Sequence, residues 1–296
     1  MALGFAFFDD DKTGAIEIFV SLLFMVYLMN HLMSLSSFVS MYSLANTSSV
    51  RIEEVLDMEN NDSYESVKTD FDGIAFNNVS LNLSDREILS DISLEIPKSS
   101  KTLIVGPVGS GKTSLIYSLL GFHNIDSGEI TVNRDSKISL TTTKPFLLKG
   151  TVFENISLGD ESITNEITIN ACSSALFFKD LNYEVNEEGN NLSGESKQKL
   201  SIARALAHDC EVYIFDNCFT SISSDSKKII MENIKRILDK KTVIFIDNNC
   251  NDYLDVDNIV VLDGGKIIGE GKHEFLIENC STYKNLFKES LRCNNA

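Results

Sequence analysis

The 296-residue sequence has no tryptophan, three prolines and six cysteines, and its 26 basic side chains are outnumbered by 43 acidic ones. None of the cysteines forms a Cys-x-x-Cys pair, which argues against a zinc finger or ribbon; the thiols read as reduced, cytosolic-side groups. A formal net charge of −17 argues against non-specific nucleic-acid binding, because such binding needs cations to neutralise phosphates, but leaves room for a small basic site for one nucleotide. Sixteen glycines and three prolines are too few for a fibrous chain, and 43% hydrophobic residues are too many for a disordered one. A chain of this length supports about two domains with real cores.

Proline is also absent before Pro97, so one helix can run from about Thr13 to Asp57. At 1.5 Å per residue it is roughly 65–70 Å long, about twice a hydrocarbon core. From Ile16 to Met29 only Glu17 and Ser21 break the apolar run. Two readings stand at this point: a long amphipathic helix, or a membrane helix continuing into the cytosol, with Ser21, Asn30, His31 and Ser34 facing other helices. A cleaved signal peptide fits poorly, since Asp9, Asp10 and Asp11 rather than basic residues precede the run; these acids read as a short loop outside the membrane. Residues 58–71 are polar and acidic and read as a linker.

Beyond residue 72 strands and helices alternate. Residues 74–83 and 88–96 read as strands, with a turn at 97–100. Thr102–Val105 is a short apolar run, and Gly106–Thr113 then fits G-x-x-x-x-G-K-T before a helix at Ser114–Leu120. In Gly106, Pro107, Val108, Gly109, Ser110, Gly111, Lys112, Thr113 and Ser114 the glycines let backbone N–H groups curl around a phosphate, helped by the helix dipole. Lys112 reaches the β- and γ-phosphates, and the Thr113 hydroxyl ligates Mg²⁺. Residues 211–216 (EVYIFD) form an apolar strand ending in Asp216, a second Mg²⁺ ligand. In NLSGESKQKLSIARALAHD (191–209) Ser193 caps a helix with apolar spacing at Leu200, Ile202, Ala203 and Leu206. Ile230, Ile234 and Ile237 fit a core face of a helix over 225–240. His123, His208 and His273 lack partners at ligand spacing.

The order of phosphate loop, LSG-x-x-K-Q-K-L-S-I-A-R-A-L, and strand plus Asp resembles the nucleotide-binding domain of ABC transporters over residues 72–290, leaving 291–296 as a tail. GTVFENI (150–156), VNEEG (185–189) and VLDGGKIIGEGKHEFL (261–276) extend the likeness. ANTSSVRIEEVLD (45–57) is similar to the exit of an exporter's last transmembrane helix, which makes residues 1–57 the end of a membrane domain, with residues 2–8 closing the preceding helix. The resemblance implies an α/β P-loop ATPase domain with an inserted helical subdomain, preceded by a long transmembrane or coupling helix, with ATP and Mg²⁺ as cofactors. It further implies a second half-transporter, a lipid bilayer and a transported substrate as partners, and a cytoplasmic ATP-binding domain at the cell membrane.

The departures from that pattern cluster. Asn217 stands where the family has a catalytic Glu; Asn hydrogen-bonds a water but accepts no proton, so general-base help of about 10²–10⁴-fold is missing. Asn248 occupies the switch-His position, Thr143 the glutamine-loop position, Leu83 that of the base-stacking aromatic and Ser223 that of a loop Asp. In the family, two domains sandwich two ATP molecules head to tail, each site completed by the other chain's signature. The resemblance therefore implies a heterodimer in which this chain's site holds ATP with little turnover. Ser193, Gly194 and Glu195 face ATP on a competent partner. Glu195 and Ser196 replace Gly and Gln; Glu195 either places charge near a γ-phosphate or turns aside as a solvated first-turn acid. A soluble regulatory or structural ATP-binding protein is the alternative reading.

Overall fold

A computed structural model of the chain describes residues 13–56, 73–84, 86–133 and 136–293. The acidic run at 9–11, the segment 2–8, the linker 58–71 and residues 294–296 of the tail lie outside the described residues. The chain divides into two units, Met1–Ser63 and Tyr64–Ala296.

In the first unit helix α1 (Thr13–Leu56) runs unbroken for 44 residues, about 66 Å. Phe19, Leu23, Val26, Met33, Phe38 and Met41 are all exposed, and apolar side chains occur on every side of the helix rather than along one stripe. An amphipathic surface helix has one stripe; a helix apolar all round needs lipid or other helices around it. The stretch Ile16–Glu53 is long and apolar enough to cross a membrane. Several of its hydroxyls are satisfied within the helix: Ser21 donates to the carbonyl of Ile18 at 2.9 Å, Ser37 to Met33 at 3.1 Å and Ser40 to Ser36 at 3.1 Å, which suits a non-aqueous surrounding.

The second unit is built on a six-stranded sheet in the order β11-β10-β3-β9-β8-β5, with β3 (Lys101–Val105), β5 (Ile138–Thr141), β8 (Val212–Asp216), β9 (Thr242–Ile246), β10 (Asn258–Asp263) and β11 (Lys266–Gly271). The first five are parallel, and β11 closes the edge antiparallel. The central strands β3, β8, β9 and β10 are buried on both faces, which explains their near-continuous apolar runs. Ile104, Ile214, Ile244 and Val260 point to one side, whereas Leu103, Phe215, Phe245 and Val261 point to the other, the period-2 alternation of a pleated strand. The first face is covered by α2 (Lys112–Leu119) and a three-stranded antiparallel sheet of β2 (Arg86–Pro97), β1 (Gly73–Leu83) and β4 (Ser127–Val132).

Between β5 and β8 the chain inserts α3 (Val152–Ser157), α4 (Asn165–Ser174) and α5 (Gly194–Ala207), with a short ribbon of β6 (Gly150–Thr151) and β7 (Glu184–Val185). Thr151 and Glu154 form a reciprocal capping box at the start of α3, and Ser193 caps α5. Helix α6 (Ser224–Ile237) buries Ile230 and Ile234, but Ile237 is exposed rather than core. Met231 and Leu238, one position further round, take the sheet-facing places as the helix ends at Leu238. Helices α7 (His273–Asn279) and α8 (Ser281–Cys293) end the unit. Of the histidines, His208 is bonded to the carbonyl of Ile156 at 2.8 Å and His273 to the hydroxyl of Tyr283 at 2.8 Å. Five cysteines are buried and free.

Candidate functional site

The site lies where parallel strands end and one helix begins. β3 runs out at Val105, the chain loops through Gly106–Gly111, and α2 starts at Lys112. The loop's tightness has local causes. A Cβ on Gly106 would collide with the carbonyl oxygen of Leu262 in β10, and Gly111 (φ 102°) has the carbonyl of Ile88 2.9 Å from where a Cβ would sit. Val108 is almost wholly exposed at the outer turn and Ser110 is buried.

Lys112 turns back into the loop. Its ammonium donates to the carbonyls of Gly106 at 2.6 Å and Pro107 at 2.9 Å and to Ser110 Oγ at 3.3 Å. Burial lowers the pKa of this ammonium, partly opposed by the Asp216 carboxylate. A cation at the centre of a ring of loop oxygens, on the first residue of a helix, is the donor an oligophosphate exchanges for those oxygens.

β8 delivers Asp216 to the same place. Thr113 donates through Oγ1 to Asp216 Oδ2 at 3.2 Å, and Asn217 donates its side-chain amide to Oδ1 at 3.0 Å. Burial raises the Asp216 pKa, against these two hydrogen bonds and the charge of Lys112. A hydroxyl and a carboxylate side by side at a phosphate loop are the oxygen donors a Mg²⁺ ion accepts, so the residues present fit a Mg²⁺–nucleotide. Asn217 takes a left-handed backbone (φ 48°), which Asn tolerates better than most residues, and its N–H donates to the carbonyl of Ile246 at 2.8 Å.

Thr143 joins this group, donating to the Asp216 carbonyl at 3.3 Å. Asn248 follows β9 with its side-chain oxygen buried and without a hydrogen-bond partner. Leu83 is half-buried against the core beneath β2. At the start of α5, Ser193 Oγ accepts from the N–H of Ser196 at 3.2 Å, and Gly194 lies beside Ser221. Glu195 turns onto Lys199, one helical turn on, at 2.8 Å, which holds its carboxyl below the usual range. Ser223 Oγ lies 3.5 Å from the same carboxylate. Among the described residues no hydrogen bond joins Ser193, Gly194 or Glu195 to the phosphate loop.

Two organising groups have roles that the motifs do not reveal. Gln198, buried in α5, donates to the Thr143 carbonyl at 3.3 Å and to Thr220 at 3.1 Å, and accepts from the N–H of Ser221 at 2.9 Å. It thereby ties the loops on either side of Asp216 to the helix that Ser193 caps; its sequence signal is that it is the one amide in that helix, inside the K-Q-K stretch. The second is Lys227, whose ammonium is held by Asp247 at 3.0 Å and Asp252 at 2.8 Å. Tyr253 also donates to Asp247 at 2.8 Å.

A parallel sheet with a phosphate loop after its first strand, and an acid at the end of a neighbouring strand, defines a P-loop nucleoside-triphosphate-binding protein. Comparison with known proteins narrows the class: residues 89–220 match the model of the ABC transporter family. The chain is 35% identical to the pediocin PA-1 transport/processing ATP-binding protein PedD of Pediococcus acidilactici over 72% of this chain and 32% of that protein. It is 34% identical to the transport/processing ATP-binding protein ComA of Streptococcus pneumoniae over 68% and 30%, and 28% identical to the ATP-dependent lipid A-core flippase of Francisella tularensis over 74% and 39%. A solved structure of a bacterial Atm1-family ABC exporter with ATP bound superposes with a TM-score of 0.70 at 24% identity, covering 76% of this chain and 43% of that one. The chain carries an ATP-binding domain of the ABC transporter family. It spans less than half the length of these relatives.

Proposed function

We propose that this chain is the ATP-binding subunit of an ABC-type exporter and that its own nucleotide site binds Mg²⁺–ATP with little turnover. The observation that carries the reading is the company of Asp216: Thr113 on one oxygen and Asn217 on the other. The metal end of a phosphate loop is complete, and the residue beside it is an amide.

Backbone N–H groups from Gly109 to Ser114 and the ammonium of Lys112 would cradle the β- and γ-phosphates, while Thr113 and Asp216 would hold Mg²⁺. When bound, Mg²⁺–ATP supplies the activated γ-phosphoryl group whose transfer to water drives the cycle. Asn217 can orient a water but cannot take its proton, and its amide is already committed to Asp216. Asn248 and Thr143 add no group able to accept that proton either.

Ser193, Gly194 and Glu195 would close over ATP held by a second, catalytically competent half-transporter. Glu195 would be kept off that phosphate by Lys199. The exposed apolar surface of α1 supports a bilayer as its surroundings, with the ATP-binding domain on the cytoplasmic side. The transport and flippase relatives support export as the direction.

The test uses the whole chain in lipid nanodiscs, with Mg²⁺–ATP binding and phosphate release measured on the same sample. Saturable binding with a release rate about a hundredfold or more below that of a Glu-bearing ABC ATPase is expected. Steady turnover at an ordinary rate would overturn the reading.

A further inference from the structure

The metal end of the proposed site and the start of α5 meet through one side chain. Two branches leave the end of β8. The carbonyl of Asp216 accepts from Thr143 Oγ1 at 3.3 Å, and the carbonyl of Asn217 accepts from Thr220 Oγ1 at 3.3 Å. Both branches finish on Gln198, which donates to the Thr143 carbonyl at 3.3 Å and to Thr220 Oγ1 at 3.1 Å, and accepts from the N–H of Ser221 at 2.9 Å. A reversed amide would set its oxygen against the Thr143 carbonyl and its NH₂ against the Ser221 N–H, so these partners fix its orientation. Gln198 is 2% exposed, and water does not replace a bond broken there.

Gln198 lies five residues beyond the Ser193 cap of the same helix, about 7.5 Å along its axis. The loop after β8 and the helix start meet again at Gly194, whose Cβ position is 3.5 Å from Ser221 Oγ. Among the described residues no other α5 side chain bonds to the loops after both β5 and β8. Arg204 reaches only the carbonyl of Phe146 in the first, and Glu195 only Ser223 in the second. Filling the cradle draws Lys112 off the carbonyls of Gly106 and Pro107 and replaces the Thr113–Asp216 hydrogen bond. That change falls on the end of β8, where both branches begin, and coupling travels through groups bonded end to end.

Resting on the ATP-binding reading, we infer that Gln198 is a positioning residue that carries occupancy of this chain's own nucleotide site to the first turn of α5. A nucleotide held with little turnover then acts as a standing brace for the Ser193–Gly194 surface. By linkage, whatever engages that surface tightens the nucleotide in return.

The test is hydrogen exchange on the whole chain in nanodiscs, with and without saturating Mg²⁺–ATP, beside a direct binding titration. In the unaltered chain the nucleotide should slow exchange at residues 193–199 by about fivefold or more. In Gln198→Met the dissociation constant should stay within about threefold and residues 106–113 should be protected as before, but the slowing at 193–199 should vanish. A side chain that only props the helix would instead speed exchange there with and without nucleotide alike, leaving the ratio unchanged. Thr220→Val cuts one branch at an exposed position and should reduce the slowing by about twofold or more, which decides the matter if Gln198→Met does not fold. Slowing in either variant equal to that of the unaltered chain would overturn the inference, as would bound nucleotide with no slowing in the unaltered chain. Failure of the unaltered chain to bind nucleotide would instead overturn the ATP-binding reading, and the inference with it.

Discussion

Asn217 donates its side-chain amide to Asp216 Oδ1 at 3.0 Å, so the residue in the water-activating position is hydrogen-bonded to the very carboxylate that would hold the metal. Thr113 occupies the other oxygen. The pair makes a site suited to gripping a triphosphate and ill suited to deprotonating water. Replacing Asn217 by Glu tests how much of the deficit lies there. A general base in a complete site contributes about 10²–10⁴-fold, but Asn248 and Thr143 remain as they are, so Asn217→Glu should raise phosphate release by about tenfold or less. Release restored to the rate of a Glu-bearing ABC ATPase would show that Asn248 and Thr143 matter less than argued. Glu also tolerates the left-handed backbone at φ 48° less well than Asn, so a stability loss of roughly 1 kcal/mol should accompany the gain.

Lys112 carries the opposite prediction. Its ammonium is the buried cation of the cradle, bonded to Gly106, Pro107 and Ser110. Lys112→Ala removes the one side-chain charge aimed at the phosphates and should abolish measurable nucleotide binding by calorimetry on the whole chain. Unchanged affinity would overturn the phosphate-loop assignment.

The regular parts of this site were legible because their causes are local. Glycines at 106, 109 and 111, a lysine and threonine at a helix start, and a strand ending in Asp216 are written in contiguous residues. Helix α5 with its Ser193 cap is equally local. Ile237 was misread because helical spacing identifies a face but not where that face runs out from under the sheet. The roles of Gln198 and Lys227 were hidden for a different reason. Their partners, Thr143, Thr220 and Ser221 for one and Asp247 and Asp252 for the other, come from segments that only the fold brings together.

Gln198 should therefore behave as a structural joint. Its buried amide makes three hydrogen bonds to two separate loops, and removing it leaves the Thr143 carbonyl and the Ser221 N–H short of partners. Gln198→Leu should cost about 1–3 kcal/mol of stability. It should also speed backbone hydrogen exchange at residues 142–145 and 219–222 while leaving β3 and β10 protected. Exchange unchanged in both loops would show that Gln198 does not organise them.

Lys227 gives the sharpest electrostatic prediction. Its side chain is 12% exposed and lies between Asp247 (13%) and Asp252 (20%). Burial alone would depress its pKa, but the two carboxylates and their hydrogen bonds outweigh this and raise it above the ordinary 10.5. A raised pKa in the folded state means that the cluster's stabilisation is complete below pH about 10.5 and is lost as pH climbs through the folded value. Lys227→Met would leave two carboxylates beside Phe219 and Tyr253 without their cation, at a cost of about 3–5 kcal/mol near pH 7. Adding Asp247→Ala should recover part of that loss, because one uncompensated charge is then gone. In thermal unfolding of the two chains, the gap between unaltered and Lys227→Met protein should be full at pH 7 and narrow above pH 10.5, where the unaltered chain loses the same cation by deprotonation. A gap that stays constant with pH would mean that the methylenes of Lys227, packed against the two rings, stabilise this corner rather than its charge.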